Sequence, residues 1–429
     1  MLRYLTPAFF ALSLGFGAVA QNLTAHDQAI LDAIETHQSE QLSFLERTVN
    51  QNSGSTNIEG VRAVGDMYAE AFDAMGFETQ WIDQPEELER AGHFVARREF
   101  GVGPHLLLIG HLDTVFEPNS PFQTFELDGD KIKGPGISDM KGGNAVIVYA
   151  IKALLEADAI NAGTITVFMT GDEEAPARPL SISRKDLIEA GKAADVALNF
   201  EGGSAEWAVI GRRGSSSWEL KVTAKQAHSS GIFREGVGAG AIFEMSRILN
   251  QFYDEVRGPF GLTFNPGFAA AGTFVDEGDS PYAQSVYGKT NVVAPRALVR
   301  GGLRFMNEEQ LEAARATMRA IVDDHLPETE ATITFSDGYP AMEVTEANEA
   351  LLAQLNEVHA RLGLDPAKSF PPERRGAADI SFVAPFVTSM DGLGVSGSGA
   401  HSPWENMELA SLKQATERAA LLIADLLAE

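Results

Sequence analysis

The chain of 429 residues contains no cysteine. That excludes a disulfide framework, a thiol nucleophile and any thiolate metal site, so stability must come from burial and a metal must be held by nitrogen and oxygen. Basic residues are scarce too: 33 Lys and Arg stand against 60 Asp and Glu, a formal net charge of -27, and they form no cluster. Without a basic stripe for phosphates, nucleic acid is not an expected partner. No stretch after residue 20 is apolar and long enough to span a membrane.

The segment Met1 to Ala20 comes nearest, but its apolar part is too short to span comfortably. It carries a basic Arg3, an apolar middle and Ala18-Val19-Ala20 ahead of Gln21. These are the marks of a secretory signal with a small-residue cleavage site. The expectation is an exported protein, periplasmic or secreted, with a mature chain from Gln21 and no membrane contact after cleavage. Its length is enough for two ordinary cores.

The rest of the chain is organised around HLDTV, His111 to Val115, which ends the apolar run PHLLLIG. Such a run reads as a buried strand, so His111 and Asp113 emerge where the strand stops, the place where open α/β sheets bind ligands. Alternation lets Asp113 reach behind His111 and set its tautomer. On its own the pair is equally a loop ion pair. Two more apolar runs end the same way, ITVFMT in Gly171-Asp172-Glu173-Glu174 and VALNF in Glu201. Between the first and second of these three strands GPGISDMKGG, Gly134 to Gly143, wraps glycines around Asp139, and far later GLGVSGSGAHSPWE brings His401 just before the last helix. Adjacent glutamates can divide labour, one binding a cation and the other taking a proton from water.

Helical periodicity is read at Asp27 to Asn50, with a polar interruption, and at Ile58 to Met75, Asn144 to Ala157, Glu346 to Leu362 and Glu408 to Ala428. Alternating strands and helices predict a mostly parallel sheet. From Ser215 the texture changes: a strand with Trp218, Leu220 and Val222 on one face, a helix at Ala239 to Val256, one or two strands within Asn291 to Met306, a helix at Glu308 to His325 and a strand at Ala331 to Phe335. That β-α-β-β-α-β order is the ferredoxin-like split βαβ sandwich. The expected division is a catalytic domain of residues 21–212 and 327–429 with an insertion at 213–326.

In this order, HLDTV, GPGISDMKGG, GDEEA, NFEGG and GSGAHSPWE resemble the five ligand segments of the co-catalytic zinc peptidases that include glutamate carboxypeptidase (carboxypeptidase G), aminoacylase and acetylornithine deacetylase. The resemblance covers nearly the whole mature chain. It implies an α/β catalytic domain with an inserted dimerisation or lid domain, and two zinc ions per subunit, with cobalt or manganese as chemically acceptable substitutes. Asp139 is implied to bridge them, with His111 and Glu201 on one ion and Glu174 and His401 on the other. Glu173 would be the general base, Asp113 the partner of His111, and the Asp139-Met140 peptide cis. Glu at position 201 matches carboxypeptidases and acylases, where di- and tripeptidases of the family tend to carry Asp.

Within the insertion, His228 in KQAHSSG matches a family histidine that enters a neighbouring subunit's site, which implies a homodimer. Asn291 in TNVVAP and Arg304 in GGLRFMN match positions that hold the substrate carboxylate. Lys289 stands where the family often has Arg, a departure that leaves the form of that clamp open. The expected activity is hydrolysis of an amide next to a C-terminal free carboxylate, glutamate above all, in a small peptide or N-acyl amino acid. An N-acyl-amino-acid deacylase is the alternative. A catalytically dead binding protein on this fold conflicts with the intact Glu173 and the five ligand positions.

Overall fold

Alternate residues of the strand His105–His111 enter different cores, which is why its sequence is an unbroken apolar run. Leu106 and Leu108 pack with the helices on one face, and Leu107 and Ile109 pack with Phe168, Ala197 and Val383 on the other. A strand buried on both faces has no polar side to show. In the computed structural model described here, residues 23–276 and 284–428 are described, so the expected signal segment lies outside the described residues.

In chain order the main strands are β1 (Glu78–Ile82), β2 (His93–Glu99), β3 (His105–His111), β4 (Thr164–Thr170) and β5 (Val196–Asn199). An inserted unit follows with β6 (Gly214–Ala224), β7 (Thr263–Gly272), β8 (Arg296–Phe305) and β9 (Thr329–Asp337), and then a last strand β10 (Thr388–Met390). The principal helices are α1 (Ala25–Asn50), α2 (Ile58–Ala74), α3 (Gly142–Glu156), α4 (Lys185–Ala193), α5 (Ala241–Gln251), α6 (Glu308–Asp323), α7 (Glu346–Leu362) and α8 (Leu409–Ala428).

The catalytic sheet has six strands in the order β1-β2-β4-β3-β5-β10. Only β2 runs against the others, so the sheet is mostly parallel, as expected. Helices α1, α2, α3, α7 and α8 cover one face, while α4 and the short turn Ile380–Val383 cover the other. The polar stretch expected to interrupt the first helix does not: α1 is continuous and opens on a capping box between Thr24 and Asp27. Its buried face still carries Ile30, Ile34, Phe44, Leu45 and Val49, and that stripe outweighs the polar residues between. Among the described residues no helix is long and apolar enough to cross a membrane.

The insertion is the expected β-α-β-β-α-β sandwich, an antiparallel sheet in the order β7-β8-β6-β9 with α5 and α6 on one face. Trp218, Leu220 and Val222 do share the buried face of β6. Two expectations about its extent need correction. Its second strand is not within Asn291 to Met306 but is β7, whose sequence TFNPGFAAAG hides it: Pro266 and Gly267 fall at a bulge between Asn265 and Phe268 on an edge strand, where a missing N–H costs no ladder bond. And because β9 pairs with β6 along its length, the insertion's sheet takes in Asp337, beyond the expected limit at residue 326.

Candidate metal centre

β3, β4 and β5 are neighbours and run the same way, so the residues that follow them meet at one edge of the sheet. His111 ends β3, Glu173 and Glu174 follow β4, Glu201 follows β5, and His401 comes from the loop before α8. His111 Nε2 lies 3.3 Å from Asp139 Oδ1 and 3.6 Å from Glu201 Oε1. His401 Nε2 lies 3.1 Å from Asp139 Oδ2 and 2.9 Å from Glu174 Oε2. Within His111, Asp139 and Glu201, and again within Asp139, Glu174 and His401, one donor atom per residue falls within 4.8 Å of the others. Asp139 belongs to both groups, one oxygen turned to each; Glu173 belongs to neither.

Asp113, expected as the partner of His111, and Glu405, to which sequence reasoning gave no role, hold this geometry. Asp113 is fully buried and accepts from Ser55 Oγ at 2.6 Å and from the backbone N–H groups of Glu173 at 2.9 Å and Glu174 at 3.0 Å. His111 Nδ1 lies 3.0 Å from the Asp113 carbonyl and 3.4 Å from its carboxylate. One carboxylate thus orients the ring and the paired-glutamate turn together. Glu405 does the same for the Asp139 turn. Its Oε1 accepts from the backbone of Ser138 at 2.9 Å, that of Asp139 at 3.1 Å and Ser138 Oγ at 3.1 Å, and its Oε2 accepts from Gly136 N–H at 3.0 Å. Gly136 turns the chain with a φ of 72°, and the Asp139-Met140 peptide is cis, as expected. Gly143 seats α3 on the strand that delivers Glu201: a Cβ there would stand 1.9 Å from the Phe200 carbonyl.

Beneath Glu173 lies a buried ionic network. Arg184 Nη1 donates to Asp172 at 2.6 Å and its Nε to Asp379 at 2.8 Å, Thr170 donates to Asp379 at 2.6 Å, and the Tyr339 hydroxyl donates to the Glu173 carbonyl at 3.1 Å. The partners are up to 209 residues apart in the chain. Only the acidic spacing Asp172-Glu173-Glu174 hinted at them.

The electrostatics are those of crowded, buried acids. Burial and then Asp139 push the Glu201 carboxyl up to about 8. Burial raises Glu174 and holds Glu173 well above the usual carboxylate range. Asp139 goes the other way: burial works against its charge, but the two histidines outweigh that and hold it far below its ordinary value. Hydrogen bonds to Asp139 and Glu174 carry His401 up to about 11. For His111 burial opposes the charge, yet Asp113 and Asp139 raise it well above its ordinary value. Three crowded carboxylates, Asp139, Glu174 and Glu201, with two imidazoles and no sulfur, fit a pair of divalent cations.

Of the other residues singled out from sequence, none lines the cleft of about 550 Å³ that contains these acids, among the described residues. His228 is exposed on the two-residue strand Ala227–His228, paired with Val292–Val293, and accepts from the Ser230 N–H at 3.2 Å. Asn291 is its neighbour, accepting from Ser229 N–H at 2.9 Å, and Lys289 N–H lies 3.4 Å from Thr273 Oγ1. Arg304 sits apart from these, exposed on β8 opposite Ser215 and Thr263, where partial desolvation and the nearby Arg213 lower its proton affinity.

An open sheet delivering two carboxylate-bridged donor sets defines a metal-dependent peptidase or amidohydrolase. The chain belongs to peptidase family M20/M25/M40, whose model matches residues 107–425. Carboxypeptidase G2 of Pseudomonas sp. is 28% identical over 429 residues, covering 97% of this chain and 96% of that one. A succinyl-diaminopimelate desuccinylase of Gluconacetobacter diazotrophicus is 26% identical over 366 residues, covering 83% of this chain and 89% of that one. Among solved structures, the aminopeptidase PepT of Bacillus cereus superposes with a TM-score of 0.70 at 17% identity, over 91% of this chain and 98% of that one. The M20 metallo-carboxypeptidase Sso-CP2 of Sulfolobus solfataricus gives 0.64 at 17%, over 90% and 98%. These two likenesses support the fold.

Proposed function

We propose that this protein is an exported, zinc-dependent carboxypeptidase that removes a C-terminal amino acid with a free carboxylate, glutamate above all, from peptides or N-acyl amino acids. The observation that carries it is Asp139 shared between the two donor sets, with Glu173 beside them in the same cleft and in neither set. His111, Asp139 and Glu201 would hold one cation, and Asp139, Glu174 and His401 the other. Bound there, the pair would supply a water made acidic near neutral pH and a Lewis acid for the amide oxygen.

The chain's own residues do the rest. Glu173, with a proton affinity raised by burial, takes a proton from water at a carboxylate oxygen and returns it to the leaving amine. Asp113 holds the Glu173 backbone and the His111 ring, so proton acceptor and ligand stay in register. Arg304 receives the substrate carboxylate, a task that suits a guanidinium, and Asn291 and Lys289, which lie with His228 away from Arg304 in the same chain, would join it from a second subunit. His228 donates to the developing oxyanion from a second subunit. Exposed Phe233, Ile242 and Phe243, on and just before α5, support an interface on the insertion, since apolar side chains grouped on one exposed face mark association surfaces.

Desuccinylases match a shorter part of the chain than the carboxypeptidase does, and deacylation of N-acyl amino acids is therefore the second reading. Glu173→Gln is expected to abolish turnover of both substrate classes while retaining two metal ions per chain by elemental analysis, whereas Glu174→Ala loses one. Full activity in Glu173→Gln overturns the assignment. A panel of N-acyl-glutamates, dipeptides and N-acetyl amino acids separates the two readings.

A further inference from the structure

The cleft has a second side that the proposed chemistry does not use. Arg374, Arg375, Phe370 and Trp207 line it together with Asp139, Glu173, Glu174, Glu201 and His401. Arg212 also reaches the cleft, but its charge is already met: Nε donates to Asp391 at 2.6 Å and Nη1 to the Gly376 carbonyl at 2.7 Å. Arg375 is different. Its Nη2 donates to the carbonyl of Gly202 at 2.6 Å, which ties the guanidinium to the residue after Glu201, while its buried Nε has no partner. Among the described residues neither Arg374 nor Arg375 pairs with a carboxylate, in a chain with an acid excess of 27.

Both guanidinium groups lie 5.8 Å from the centre of the Phe370 ring, and Trp207 meets that ring edge-on at 5.6 Å. Arg375 is therefore held on two sides, by a carbonyl and a ring, with a donor left over. Burial and the neighbouring Arg212 lower its proton affinity, and the nearby carboxylates of Asp391, Glu201 and Asp139 offset only part of that, so an incoming anion would add the paired partner this guanidinium lacks. A planar fork with free donors is suited to a carboxylate, which it can bind through two oxygens at once.

We propose that Arg375, backed by Arg374 and walled by Phe370 and Trp207, forms an anion subsite in the catalytic domain that binds a second carboxylate of the substrate. This rests on the hydrolase reading above and extends it: the substrate is a dicarboxylate, one end held on the insertion by Arg304 and the other on the catalytic domain by Arg375. The second carboxylate belongs either to the side chain of the leaving amino acid or to the acyl group. In both cases the shared chemistry is a carboxylate a few bonds from the scissile amide, beside a flat apolar wall.

The test uses the metal-loaded full protein and two matched pairs, N-acetylglutamate against N-acetylglutamine and N-succinyl-alanine against its succinamoyl counterpart. Binding of glutamate against glutamine, and of succinate against succinamate, is measured by calorimetry alongside. A charge-assisted contact predicts a preference of roughly tenfold to a hundredfold for the acid member of one pair. In Arg375→Gln that ratio falls toward one, through KM and Kd, and Arg375→Lys restores part of it with the melting temperature unchanged; Arg374→Gln weakens it less. The pair affected tells which side of the amide carries the acid. Retention of the preference in Arg375→Gln, or no preference in either pair, overturns the subsite. A protein that hydrolyses none of these amides yet binds an acid through Arg375 overturns the hydrolase reading and leaves the subsite standing.

Discussion

Glu405 offers the sharpest test of how the centre is assembled. Its Oε1 accepts three hydrogen bonds from Ser138 and Asp139, and its Oε2 accepts one from the Gly136 N–H at 3.0 Å. The two ends are 266 residues apart for Asp139, so the contact exists only in the folded chain. In Glu405→Gln the amide oxygen can take the Oε1 position and keep three bonds, but its NH₂ then faces the Gly136 N–H. One charge-assisted bond is lost and two donors oppose each other, a cost of about 1 to 3 kcal/mol. In Glu405→Ala all four donors lose their acceptor, and partial rehydration limits the loss to about 3 to 5 kcal/mol. Because the freed turn carries Asp139, metal affinity should fall with stability, by roughly 10- to 100-fold as for other groups that orient ligands. Chemical denaturation of the metal-free protein and competition with a chelator for the loaded one measure the two effects separately. The ordering wild type, Gln, Ala must appear in both. If Glu405→Ala binds metal like wild type although it is destabilised, the turn does not need Glu405 to present Asp139.

The ionic network below the site predicts that Arg184→Met leaves Asp172 and Asp379 buried without a counter-charge and destabilises the protein by about 3 to 5 kcal/mol, read from a denaturant titration; wild-type stability would refute the network's role. Asp113→Ala removes the acceptor of the Glu173 and Glu174 N–H groups as well as the His111 partner, so kcat and the affinity for at least one metal should both fall, by about 10-fold or more, and a change in kcat alone would contradict it. If His228 acts across a dimer, His228→Ala should lower kcat by ~10² to 10³ with metal content unchanged. Mixing it with Glu173→Gln should then restore activity through heterodimers, and a silent mixture of proven heterodimers excludes action in trans.

What the sequence alone determined is local. Apolar runs that end in His111, Glu173 and Glu201 are legible because a strand buried on both faces has a recognisable composition, and parallel strands bring their ends to one edge whatever their order in the sheet. The insertion was legible from the alternation of Trp218, Leu220 and Val222 and from the two amphipathic helices, but β7 was not, because Pro266 and Gly267 are permitted only by its place at the edge of a sheet. That Asp139 turns its second oxygen to His401, and that Glu405 holds its turn, are decided by contacts between segments far apart in the chain. The same is true of Arg184 between Asp172 and Asp379, and of Arg375 beside Gly202. A charged side chain has no preferred neighbour in its own segment; its partner is whichever opposite charge or carbonyl the packed elements bring within reach once water is removed, and only the tertiary structure decides that.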